Sequence, residues 1–445
     1  MMLRDLRARS RLAVAACAAA IAGNAARTAA ADSPPAVEVR VLETVPLPGG
    51  GRGSFQLGGL SDLCRGGGVD GLWTLTDRGP NGVVDGDRRG GPRRTLASPS
   101  FTPLLVEVSL RGDDGRLRVL RTVPIKDPAG RPTSGRPPGG PNDRAIVDPT
   151  DGNRLEWDRC GLDPEGLVRL RDGRFWIAEE YGPSLVEVSP AGRILGRYVP
   201  RGHVIPGAPA QVHGVLPAAY ARRRDNRGFE CLGCSPDESR LFCLLQSPFG
   251  DGADAAAAAG NVRLLVFDPT SRCPVAEHVY RLGPPRSRGS RRAADGKISA
   301  LTCVAADRLL VIEQSDDESR VYEIGLADAT DVLNRDEQTD EGSPLDEIDD
   351  LAANDIRPVR KTLVADLAPL AARFQRDIEP GGDGRAPKKL AELKFEGLTV
   401  LADGRIAILN DNDFDVVADG STAASPPRRR SCLWILTVPD WPRPE

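Results

Sequence analysis

Aromatic residues make up only 4% of the 445-residue chain, which has two methionines and three histidines. Neither Gly-x-Ser-x-Gly nor His-Glu-x-x-His occurs, so serine-hydrolase and zinc-protease chemistry has no motif to rest on. Charge of one sign is also lacking. A net charge of -4 gives no bulk attraction for nucleic acid or for a membrane surface, and partners must be argued locally. Sustained helical periodicity is missing after residue 32. The one long apolar run, 12–23, is too short to span a bilayer. What is abundant is turn chemistry. With 48 Gly and 38 Pro against 40% hydrophobic residues, the chain reads as many short strands joined by turns around an ample core.

Residues 1–31 read as a secretory signal peptide, with a basic segment through Arg11, the apolar run, and Ala29-Ala30-Ala31 before Asp32. The expected destination is the periplasm or the medium. A lipoprotein box ending at Cys17 is the alternative. Eight cysteines follow Cys17, an even number in a compartment where disulfides persist, so bridges are expected. Cys231-x-x-Cys234 has no second pair at zinc spacing, and reads as a disulfide or buried thiol rather than a metal site.

The stretch 161–183, GLDPEGLVRLRDGRFWIAEEYGP, is a hairpin unit: two apolar runs flank Asp172-Gly173, Glu165 opens it, and Glu179 and Glu180 close it. Variants recur. Glu165, Ser299 and Glu396 each precede a turn arginine (Arg174, Arg308, Arg405) by nine residues, and Glu230 precedes Arg240 by ten. A first copy runs from Asp62 to Asp77, and closing polar residues fall in register at Glu180, Gln246, Gln314 and Asp411. A four-stranded unit recurring in this way predicts an all-β propeller of five to seven blades occupying 37–439. Five are countable. The 97-residue step from Ser299 to Glu396, against 65 and 69 for the preceding two, favours six. The N-terminal strand over 37–47 is expected to pair with the last strand, 432–438, and close the ring. Segments 126–160 and 328–355 read as surface insertions, the latter acidic and solvated.

Placing each first strand innermost brings the opening residues and the hairpin ends to one axial mouth. Candidate metal ligands are Asp62, Asp77, Glu165, Glu179, Glu180, Glu230, Glu313, Glu396 and Asp411; Glu165, Glu180, Glu230 and Glu396 are the candidate catalytic groups. Such a ring repels itself unless cations sit in it, and calcium tolerates its irregular oxygen geometry. Arg78, Arg227, Lys297 and Lys394 stand close by, as a phosphate ester requires. Charged strand ends that merely bridge blades would look the same. His203 and His213 are expected in a solvated loop, and His278 on an outer strand.

Five ordered motifs carry a resemblance. Asp163-Pro164-Glu165-Gly166-Leu167, Glu180-Tyr181-Gly182-Pro183, Asn226-Arg227-Gly228-Phe229-Glu230, Thr76-Asp77-Arg78-Gly79-Pro80 and Lys394-Phe395-Glu396-Gly397-Leu398 together resemble the phytase-like domain family, described by the esterase-like activity of phytase. The resemblance covers 55–438 and implies an exported propeller, similar to calcium-dependent alkaline phytases, acting on a small ester. Cys231 in place of glycine, the acid-free Ser299-Ala300-Leu301, and Gln246 depart from the pattern and lower the carboxylate count. A lactonase-like propeller using one calcium, or a non-catalytic binding propeller, are the alternative readings.

Overall fold

A computed structural model describes residues 35–48, 54–68, 70–84, 93–141, 143–250, 259–283, 296–333, 335, 344–415, 428–439 and 441. The expected leader and Cys17 lie outside them. Alternating sequence becomes strand, and the strands group into sheets of four. Blade 1 is Leu60–Arg65, Gly71–Thr76, Leu104–Ser109 and Arg116–Pro124; blade 2 is Pro164–Arg169, Phe175–Glu179, Ser184–Val188 and Ile194–Pro200. Blade 3 is Phe229–Cys234, Leu241–Leu245, Asn261–Asp268 and Cys273–Arg281; blade 4 is Lys297–Ala305, Arg308–Gln314, Ser319–Gly325 and Arg360–Asp366. Blade 5 is Phe395–Val400, Ile406–Asn410, Cys432–Thr437 and, from the other end of the chain, Ala36–Leu42.

The closure expected from sequence is present: Ala36–Leu42 runs antiparallel to Cys432–Thr437, with Val39 opposite Trp434. The same strand also pairs in parallel with Arg116–Pro124, tying blade 5 to blade 1. Innermost strands contact one another in the cyclic order 1-2-3-4-5-1, so among the described residues the ring holds five blades and not the favoured six. The long step to Glu396 comes instead from the segment 326–359 inside blade 4 and from the helix Ala371–Ile378 with its short 3-10 turns after it.

That segment is not simply solvated. It packs on blade 3, where the Val332 N–H donates to the Glu277 carbonyl at 2.7 Å, and Val279, Val332, Leu345, Leu351 and Ile356 form a buried cluster. Asp346 is buried against the Arg263 Nε at 2.7 Å. Segment 126–160 likewise buries Ile146, Val147 and Cys160 and packs beside the mouth, where the Tyr181 hydroxyl donates to the Gly135 carbonyl at 2.5 Å. Within the expected loop around His213, Val212–Leu216 adds a fifth strand to blade 2, parallel to Ile194–Pro200.

Apolar side chains fill the gaps between blades. One cluster lies between blades 1 and 2, one between 5 and 1, one between 4 and 5, and one runs through both faces of blade 3. Buried aromatics anchor them. Trp176 meets Tyr198 and Phe267 with centroids 5.3 and 5.5 Å away, and Trp434 meets Phe374 at 4.8 Å. Each fully buried large apolar side chain contributes roughly 1.5–3 kcal/mol.

The expected disulfides are absent: all eight described cysteines are free thiols. Cys231 and Cys234 stand three apart on one strand, which sends their side chains to opposite faces. Cys231 instead packs with Cys243 in the apolar cluster of blade 3, and burial pushes both thiols up.

Candidate active site

One irregularity, repeated five times, builds the site. Each first strand carries a one-residue bulge against its second strand, at Ser61, Glu165, Glu230, Ser299 and Glu396. A bulge re-aims one side chain out of the pleat. The residue after it packs close to the axis, and in blades 2 and 5 only glycine fits there: a Cβ on Gly166 would lie 2.7 Å from the Cys231 backbone, and one on Gly397 2.9 Å from the Leu409 Cβ. The third residue, a leucine in every blade, turns its side chain into an interblade cluster. Its N–H, on the unpaired inner edge of the sheet, is left without a ladder partner.

Asp62 supplies that partner. Its carboxylate accepts the Leu63 N–H at 2.7 Å and the Leu167 N–H at 2.6 Å, and the N–H groups of Leu232 and Leu398 also point at it. Blade 1 is therefore offset by one residue from the sequence alignment: Ser61 stands where Glu165 stands, and Asp62 where Gly166 stands. Fully buried on the axis among backbone donors, Asp62 lies away from the expected metal-binding mouth, and desolvation raises its pKa well above the usual range.

Above this plug opens a funnel of about 400 Å³ whose sixteen lining residues are all charged or amide-bearing. Eight are acids (Asp77, Glu165, Glu180, Asp225, Glu230, Glu396, Asp411, Asp413) and five are cations (Arg78, Arg94, Arg227, Lys297, Lys394). Most charges are already paired. Arg78 donates to Asp163 through Nη1, reaches the Asn226 Oδ1 at 2.8 Å, and lies 3.7 Å from Glu180. Lys297 stands 3.8 Å from Glu230 and 3.4 Å from Glu396. Lys394 reaches Asp411 at 2.5 Å and also pairs with Asp413. Arg94 lies 3.7 Å from Asp225.

Glu165 accepts no hydrogen bond from the described residues, and Arg227 presents a buried Nη1 with no partner. The Glu230 Oε2 and the Ser61 and Ser299 hydroxyls, all buried, are also unpartnered. Oxygens of Asp163, Glu165 and Glu180 lie within 4.8 Å of one another, close enough to share a cation. Desolvation, reinforced by Asp163, Glu230 and Glu180, raises Glu165 well above the carboxylate range. Glu180 is pushed up to about 8 by burial and by Asp163, with Arg78 opposing. Glu230 also reaches about 8, through burial offset by Lys297. Burial carries Asp411 to about 7 against the pull of Lys394.

Glu179 and Glu313 do not line the funnel. They sit one residue before the hairpin-end positions, and strand alternation turns them into the blades. Glu179 accepts the Ser184 hydroxyl at 2.8 Å and the Tyr181 N–H at 3.0 Å; Glu313 accepts the Tyr280 hydroxyl at 2.5 Å and pairs with Lys361. The hairpin-end residues Asp77, Glu180, Gln246 and Asp411 face the funnel, whereas Gln314, which follows Glu313, is buried outside its lining. Sequence reading missed Asp163, Asn81, Arg94, Asp225, Asn226 and Asp413. The signal for Asp163 was its place two residues before Glu165, where the other blades carry Gly59, Gly228, Lys297 and Lys394.

The histidines lie elsewhere. His203 is neither solvated nor at the mouth: it is 6% exposed, its ring stacked over Gly140 and Gly182. His213 stacks on Tyr198 with centroids 5.1 Å apart, and the His278 Nδ1 meets the Thr330 carbonyl at 3.0 Å.

The fold and this funnel define a five-bladed propeller with an acidic axial site. The chain belongs to the phytase-like family, described by the esterase-like activity of phytase, whose sequence pattern matches residues 56–414. A secreted protein of uncharacterized function from Arthroderma benhamiae is 28% identical over 246 residues, 47% of this chain and 46% of that relative, so the match spans about half of the relative's length. Among solved structures, a luciferin-regenerating enzyme aligns over 88% of this chain and 96% of its own at 8% identity and a TM-score of 0.33. The WD40 repeats of RRP9 align over 91% and 99% at 10% identity and 0.37. Overlaps this loose say nothing of chemistry.

Proposed function

We propose that the chain is an exported hydrolase of phosphate esters that works with a divalent cation at the axial funnel. One observation carries the reading: the Asp163, Glu165 and Glu180 oxygens gather within 4.8 Å, and Glu165 and Glu180 line a pocket together with Arg227, whose buried Nη1 is unpartnered. The donor set fits the cation. It is all oxygen, and Glu165 has no hydrogen-bond partner among the described residues, as a hard ion such as calcium prefers. Asp163, Glu165 and Glu180 would hold the ion, which when bound supplies Lewis-acid polarisation of a phosphoryl oxygen and a more acidic water.

The remaining work falls to the chain's own groups. Arg227 donates Nη1–H to a phosphoryl oxygen and offsets its charge. Arg78, tied to Asp163 and Asn226, holds the acid cluster in place and leaves Arg227 as the phosphate donor. Burial lets Glu230 take up a proton more readily than an exposed glutamate, and its unpartnered Oε2 can exchange a proton with the departing oxygen. A funnel without one apolar lining residue suits a hydrophilic ester better than an acyl chain or hydrophobic lactone. Export is supported by the leader-like residues 1–31 and by the relative described as secreted.

The test is phosphate release from phytate and from p-nitrophenyl phosphate by metal-free protein, with and without added calcium, beside aryl acetates and lactones. Calcium-dependent phosphate release is expected. Hydrolysis of the carboxylic esters alone would mark a lactonase-like enzyme, and no hydrolysis with no calcium uptake would mark a binding propeller.

A further inference from the structure

We infer that Lys297 is a built-in counter-ion occupying the place of a second divalent cation, so that the funnel takes one metal ion, on blade 2. The inference rests on the metal-dependent reading above and adds to it the number of ions and the residue that sets it.

The argument starts from register. Two residues before each bulge stand Gly59, Asp163, Gly228, Lys297 and Lys394. Blade 2 thus doubles its acid, Asp163 beside Glu165, whereas blades 4 and 5 place an ammonium at the equivalent point. Lys297 does not serve its own blade, whose bulge residue is Ser299. Its Nζ lies 3.8 Å from Glu230 on blade 3 and 3.4 Å from Glu396 on blade 5, the bulge glutamates of the two flanking blades.

Both glutamates are buried, at 2% and 7% exposure, and two such carboxylates need a cation between them. Lys297 meets that need incompletely. Its distances are long for charge-assisted hydrogen bonds, and the buried Glu230 Oε2 has no partner. The Ser299 hydroxyl, fully buried at the same level of the ring, is also unpartnered. Two carboxylates and a hydroxyl are an oxygen set that a hard cation can use once the ammonium is gone.

Calorimetric titration of metal-free full-length protein with calcium chloride, followed by dialysis and elemental counting, tests this. The wild type is expected to hold one calcium per chain and Lys297→Met two, while Lys297→Met combined with Glu230→Gln returns to one. Two or more ions on the wild type, or a folded Lys297→Met that still holds one, overturns the inference and leaves the metal-dependent reading intact. No ion on the wild type removes that reading itself, and the inference with it. Should Lys297→Met fail to fold, Lys297→Gln replaces it, and Lys297→Arg, which keeps the charge, must stay at one.

Discussion

The carboxylate of Asp62, on blade 1, accepts the backbone N–H of Leu167, on blade 2, at 2.6 Å. Inner edges of propeller sheets have no ladder partner, and here one buried acid satisfies several of them at once. Replacing it leaves donors orphaned at 1–3 kcal/mol each before any water enters. Asp62→Ala is therefore expected to lose about 3 kcal/mol of stability, with Asp62→Asn, which keeps one acceptor oxygen, losing less. Urea unfolding midpoints measure this, and an unchanged midpoint for Asp62→Ala would remove the axial-plug role.

Calcium bound at the blade 2 acids stabilises the folded state by mass action, about 2.7 kcal/mol at a hundredfold excess over Kd. Chelator should lower the melting temperature and calcium restore it. Glu165→Gln should abolish the calcium-dependent rise. Glu313→Gln should leave that rise intact, because Tyr280 and Lys361 hold Glu313 outside the funnel. Equal loss in both variants would mean the ion sits elsewhere.

Arg227 tests the phosphate assignment. Losing its charge-assisted hydrogen bond to a phosphoryl oxygen costs about 1.5–3 kcal/mol, so Arg227→Met should reduce kcat/KM for a phosphate ester roughly 10- to 100-fold. The melting temperature should hardly move, since Nη1 has no protein partner to lose. Steady-state kinetics beside a melting curve separate the two. Unchanged kcat/KM counts against the role.

His203 supplies a pH signature. Burial, with Arg197 and Arg223 nearby, lowers its pKa to about 4, so the ring is neutral in the fold while the unfolded chain takes up a proton near 6.5. The unfolded state then binds more protons between those values, and the stability contributed by the neutral ring is full above pH 6.5 and falls as pH drops toward 4. Urea midpoints across this window should decline less steeply in His203→Phe than in the wild type. Parallel slopes would show that His203 does not titrate in this way.

The repeat was legible because each blade obeys the same local physics: an apolar strand, an Asp-Gly or equivalent turn, a second strand, a polar closing residue. Ring closure by Ala36–Leu42 could be read from two complementary alternating strands at opposite ends of the chain. Blade count could not, because linker length carries no information about blade number, and 326–359 spends its residues packing on blade 3. Disulfides were expected from parity and compartment alone. Pairing depends on which faces the thiols take, and Cys231 and Cys234 take opposite ones.

The sequence by itself determined the propeller, the acids near its mouth and the lysines beside them, since these follow from period and turn chemistry. Only the tertiary structure decided which acids matter together. The bulge that recurs near the start of each first strand sends Glu165, Glu230 and Glu396 to the floor and shifts Asp62 to the axis, and a one-residue slip is invisible to spacing yet reverses the direction of a side chain. Strand alternation likewise admits Glu180 and excludes Glu179. Asp163 gathers with Glu165 and Glu180 because strand pairing brings the two ends of the blade 2 hairpin together, with the Glu180 N–H donating to the Asp163 carbonyl at 3.0 Å, whereas Glu230 and Glu396 reach the same funnel only because the ring brings the inner edges of five blades to one axis.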